Sequence, residues 1–114
     1  MTTTYRETAQ AVSDGAKALT ELVPDAMAGF AALGKGAYKD GALSRQTKEL
    51  IALALGIAAH CDGCVAYHAR TLAQLKATRE QVGEAIAVAV QMGGGPSMVY
   101  GGEALRAFDS FTRG

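Results

Sequence analysis

Four residues of this sequence could do chemistry together: Glu49, Cys61, Cys64 and His68, spaced as Glu, eleven residues, Cys, two, Cys, three, His. The chain holds two cysteines and two histidines, and all four lie between positions 60 and 68. A thiol pair with a base one helical turn away is the minimal apparatus for thiol–disulfide chemistry. Cysteines at i and i+3 share one face at a helix start. There the unpaired backbone N–H groups and the helix dipole favour the reactive thiolate. His68 lies four residues beyond Cys64, where an imidazole can take a thiol proton and return it to a leaving group. Glu49 is the test of the idea. At about 1.5 Å rise per residue it lies about 15 Å back from the end of its helix, and His68 about 10 Å into the next. If the two helices form an antiparallel hairpin, they reach similar heights, and the carboxylate can orient His68 or relay its proton.

Each of these residues has a plainer reading. Cys61 and Cys64 could be half of a zinc site, completed by His68 and by Glu49 or His60. The spacing differs from common zinc knuckles, and no second Cys/His pair exists. Glu49 could be a first-turn dipole partner or a surface ion pair with Lys48 or Arg45. His60 could lower the pKa of Cys61 or cap the preceding helix, and the cap is favoured. Asp62 reads as a first-turn acid, Gly63 as a point where a partner or substrate approaches the thiols, and Tyr67 as a border of the pocket or, more ordinarily, a half-buried aromatic. Tyr5, Tyr38 and Tyr100 carry no motif. The Gly-rich run 93–96 lacks the Lys-Ser/Thr of a phosphate loop and reads as a helix stop and close-packing point, flanked by Met92 and Met98 as core fillers.

The elements that must position these residues are helices, about six of them, because helix formers dominate and period-two runs are missing. Their expected bounds are about 5–22, 24–38, 45–59, 61 or 62 to 76, 79–92 and 97–111. Pro24 separates the first two, Ser44 is a good N-cap, and Thr78 with Gln81 has the spacing of a capping box. The run 50–59 is apolar all round, which predicts a helix buried on every face.

The 114 residues suffice for one domain, expected to span 1–114, with a formal net charge of zero and no basic patch. Neither nucleic acid nor an anionic membrane is an expected partner. No signal peptide is visible in MTTTYRETAQ, and the longest apolar run is too short to span a bilayer. The expected location is the cytoplasm, where a Cys-x-x-Cys pair is more often catalytic or metal-binding than a structural staple. Small residues supply much of the hydrophobic fraction, so several helices are expected to bury a second face against other copies of the chain, the alternative being an Ala-rich monomeric bundle.

The motif Glu49-x11-Cys61-x2-Cys64-x3-His68, with its surroundings from Leu43 to Gly102, resembles the alkylhydroperoxidase D-like proteins of the carboxymuconolactone decarboxylase family. The resemblance implies an all-α domain with a central antiparallel helix pair carrying the CxxC, assembled as a homo-oligomer, a trimer or a hexamer. It also implies a thiol-based antioxidant oxidoreductase, with hydroperoxides or disulfides as substrate and an external dithiol as reductant. No metal and no cofactor is expected. By the same resemblance, the catalytic residues are Cys61, Cys64, His68 and Glu49. Cys64 would attack peroxide, Cys61 would resolve the sulfenic acid, and the Glu49–His68 pair would relay protons; the cysteines' roles could be exchanged. One position departs: the best-characterised peroxidase branch has a second histidine immediately before the later cysteine, where this chain has Gly63. Disulfide reduction then stands beside peroxide reduction. An oligomeric ligand-binding module with a vestigial dithiol is a further reading. The decarboxylase branch generally lacks the cysteine pair, which argues against lactone decarboxylation.

Overall fold

The computed structural model describes residues 4–112. They form α1 (Tyr5–Leu22), α2 (Pro24–Ala37), α3 (Arg45–Ala58), α4 (Asp62–Gln74), α5 (Arg79–Gly93) and α6 (Gly95–Thr112), with no strand among the described residues. The first three residues of the stretch read for a targeting signal lie outside the described range. None of the described helices is long and apolar enough to cross a membrane.

Local chemistry sets most helix boundaries. The Thr4 hydroxyl accepts the Glu7 N–H at the start of α1, and Pro24 begins α2. Ser44 caps α3 by accepting the Thr47 N–H at 3.1 Å. Thr78 and Gln81 satisfy each other's backbone donors at the start of α5. The expected break over 93–96 shrinks to one residue. Gly94 turns the chain with φ 74° and ψ −151°, which favours glycine. Pro96 is then absorbed in the first turn of α6, where its missing N–H costs nothing.

α3 and α4 end in the same way. At the end of α3 the Cys61 N–H reaches Gly56 O at 3.0 Å and the His60 N–H reaches Ile57 O at 3.1 Å. At the end of α4 the Ala77 N–H reaches Leu72 O at 3.0 Å and the Lys76 N–H reaches Ala73 O at 3.1 Å. Both are Schellman motifs, and the residue that must turn left-handed is His60 (φ 54°) in one and Lys76 (φ 63°) in the other. A side chain in that conformation costs about 1–2 kcal/mol.

The core lies among α3, α4, α5 and α6, around Leu53, Ile57, Val65, Leu72, Val82 and Phe108. Ala69, Ala104 and Ala107, all fully buried, let these helices close up. α1 lies across α4, while α2 packs on α1 alone among the described helices and buries none of its residues. Two expectations about burial are corrected. α3 buries Glu49, Leu53, Gly56 and Ile57 on one side, but Ile51 and Leu55 on the other are 46% and 64% exposed. Met92 and Met98 are surface residues rather than core fillers, because they lie on sides of α5 and α6 that this chain leaves uncovered.

Candidate active site

The α3–α4 hairpin builds the site. Gly56 eases this: a Cβ there would stand 3.1 Å from Cys64 Cβ, so any larger residue would push α4 back by a few tenths of an ångström. Cys61 is the N-cap of α4, and its Sγ accepts the Cys64 N–H at 3.1 Å, the place where a serine or aspartate oxygen usually sits. Cys61 and Cys64 are joined by a disulfide, their Cα atoms 5.2 Å apart. A reduced Cys61 would keep that N–H and the positive end of the helix dipole, both of which favour a thiolate.

One turn on, His68 Nδ1 and Glu49 Oε2 are 2.7 Å apart. Glu49 is 3% exposed, so the plain readings of it as a surface ion pair or a solvated first-turn acid are set aside. With the carboxylate as acceptor, Nδ1–H donates and Nε2 is left free to take or give a proton. A buried carboxylate without such a partner would be costly, and the antiparallel hairpin supplies it.

Aromatic rings enclose the pair. The Tyr67 ring meets His68 edge-on at 5.5 Å, and the Tyr38 ring lies 6.1 Å from it at 39°. Tyr38 carries no sequence motif. It caps the end of α2, and a loop longer than one turn separates it from α3, so spacing gave no signal. Burial raises the Tyr38 pKa above its ordinary value of 10.0, with smaller contributions from the charge on Glu49 and from Tyr67. Arg70 covers the Tyr67 ring from 5.1 Å and reaches Ser13 Oγ in α1 at 3.4 Å.

Gly63 is approached from within the chain. A Cβ there would stand 2.9 Å from Val12 Cγ2, so α1 occupies the space expected for a partner or substrate. His60 takes the favoured capping role, as the left-handed residue after α3, and its ring stacks on Tyr100 in α6 with centroids 4.8 Å apart. Asp62 sits in the first turn of α4 as expected. It also lines a small hollow with Tyr5, Thr8, Val65, Tyr100 and Glu103. Among the described residues, no group of three or more His, Cys, Asp or Glu side chains is arranged to hold a metal ion.

The fold agrees with what the chain is similar to. The crystal structure of the apo form of a carboxymuconolactone decarboxylase family protein from Legionella pneumophila superposes with a TM-score of 0.93 at 44% identity, covering 95% of this chain and 96% of that one. An uncharacterized protein of Cupriavidus necator is 42% identical over 95 residues, 83% of this chain and 84% of its own length. The protein named "uncharacterized protein 4 in cox locus" of Paracoccus denitrificans is 39% identical over 80 residues, 70% of this chain and 72% of its own. The model of the carboxymuconolactone decarboxylase family matches residues 24–108. The chain belongs to that family, with a CxxC pair on its fourth helix.

Proposed function

We propose that the chain is a thiol-dependent oxidoreductase that reduces hydroperoxides through a Cys61/Cys64 dithiol–disulfide cycle served by Glu49 and His68. The observation that carries this reading is the 2.7 Å bond from His68 Nδ1 to a buried Glu49, on the helix that begins with the disulfide. His68 Nε2 takes the Cys64 proton, and the thiolate attacks the outer peroxide oxygen. The O–O bond breaks, Cys64 becomes a sulfenic acid, and His68 returns the proton to the departing alkoxide. The Cys61 thiol then gives its proton to His68, its sulfur attacks the Cys64 sulfur, the S–S bond forms, and the departing hydroxide takes that proton and leaves as water. An external dithiol restores both thiols with its own two electrons and two protons. Throughout, Glu49 fixes the imidazole tautomer and stabilises the imidazolium.

A second reading shares the cycle but takes a disulfide as substrate. Val12 favours it, since that side chain fills the space beside Gly63 that the second histidine of the peroxidase branch would need. Both readings suit a reducing compartment such as the cytoplasm. The partners are the external dithiol and further copies of this chain, in a trimer or a hexamer.

The test is consumption of a dithiol driven by an alkyl hydroperoxide, and separately by a small disulfide, with the wild type, Cys61→Ser and Cys64→Ser. Turnover with the wild type and its loss in both variants is expected. Full turnover in both variants would overturn the cycle. Zinc near one per chain in the purified protein would favour the metal-binding reading instead.

A further inference from the structure

Among the described residues, two that are not glycine adopt the left-handed conformation, His60 and Lys76. They hold the same place in the same motif, where glycine is the usual residue. Strain kept at such a position points to a task that glycine would not perform. For His60 the ring supplies one. It lies on Tyr100 of α6, 4.8 Å between centroids and 12° between planes, and the next residue is Cys61. The Cys61 N–H closes the α3 motif on Gly56 O, and the Cys61 sulfur opens α4. Cys64, for its part, rests against Gly56 of α3. The α3–α4 joint, with the first cysteine on it, is thus anchored to α6 through two rings. α6 is itself tied to α1 through the bond from Tyr5 Oη to Glu103 Oε2, at 3.1 Å.

We infer that His60 and Tyr100 are positioning residues for the dithiol, their stack holding the α3–α4 joint against α6 so that the Cys61 sulfur stays within bonding reach of Cys64 when the pair is reduced. The inference rests on the dithiol cycle proposed above and adds what sets its redox poise. A dithiol whose sulfurs are already held together loses less freedom on closing, so closure is favoured. The protein disulfide is then harder to reduce than it would be on a loose joint.

The reaction that reads this is exchange with dithiothreitol. The protein S–S bond breaks and that of oxidised dithiothreitol forms, with two electrons and two protons passing to the protein. Equilibrating the folded chain with mixtures of reduced and oxidised dithiothreitol gives the closing constant. His60→Gly, which keeps the left-handed turn but removes the ring, and Tyr100→Leu should each lower that constant about three- to tenfold, a tenfold change being about 30 mV toward a more oxidising pair. Tyr100→Phe keeps the stack and should retain the wild-type constant. Lys76→Gly relieves the matching strain away from the cysteines and should also retain it. Helical circular dichroism establishes that each variant is folded. His60 is exposed, so His60→Gly remains informative if Tyr100→Leu does not fold. Wild-type constants in His60→Gly and Tyr100→Leu, or an equal drop in Lys76→Gly, would overturn the inference. A wild-type disulfide that does not exchange with dithiothreitol at all would instead defeat the cycle beneath it.

Discussion

On the side of α3 that faces α4, Glu49 is 3% exposed and bonded to His68. On the opposite side, Ile51 and Leu55 stand 46% and 64% exposed. A charge lies inside and two large aliphatic side chains lie outside, on one helix of fourteen residues. Hydrophobic partition alone predicts the reverse. The inner side is tolerated because a close hydrogen-bonded, charge-capable partner offsets part of the carboxylate's desolvation cost. The outer side is no isolated exception. Val88 and Met92 on α5 are exposed too, as are Phe30 and Leu33 on α2. Large apolar side chains on helix sides that this chain leaves uncovered suit an interaction surface, and a further copy of the chain is the proposed occupant. In the proposed reading the inner side serves chemistry and the outer side assembly.

Substitutions on the two sides should separate these demands. The largest effect is expected from His68→Gln, which removes the base and should lower turnover roughly 10²–10⁴-fold. His68→Ala goes further and leaves Glu49 buried without its partner. It should destabilise the fold by about 3–5 kcal/mol, read from urea unfolding, unless Glu49→Gln is made with it.

On the outer side, Leu55→Glu should leave the stability of the folded chain within about 0.5 kcal/mol and dissociate the oligomer in sedimentation equilibrium. An unchanged mass would remove the assembly argument. The smallest effect concerns Tyr38. Its raised pKa means that the folded chain holds the phenol proton more tightly than the unfolded chain does. The associated stability is fully present below the ordinary value of 10.0 and is lost as pH rises through the folded value. A phenolate absorbance step above the ordinary range that vanishes in Tyr38→Phe would verify this.

Much of this was legible in the residues. Pro24, Ser44 and Thr78 mark helix starts through side-chain and ring chemistry that acts within one turn, and the structure places a helix beginning at each. The Glu49–His68 contact was legible because two helices with fixed rise, folded back on each other, leave few registers. Tyr38 was not, since nothing local says where a loop returns a helix end. Val12 against Gly63 was missed for the same reason: α1 and α4 are distant in sequence, and only packing brings them together. The exposure of Leu55 and Met92 also eluded periodicity. An apolar helix reads alike whether its second side meets its own chain or another.

Everything proposed here turns on His68, held by Glu49 of α3, activating the Cys64 thiol one turn earlier on α4. The most direct measurement is the pH dependence of alkylation of reduced Cys64, in the wild type and in His68→Gln. If His68 assists deprotonation of Cys64, thiolate forms at lower pH in the wild type, and the His68→Gln profile is displaced to higher pH. Superimposable profiles in the two proteins would contradict it.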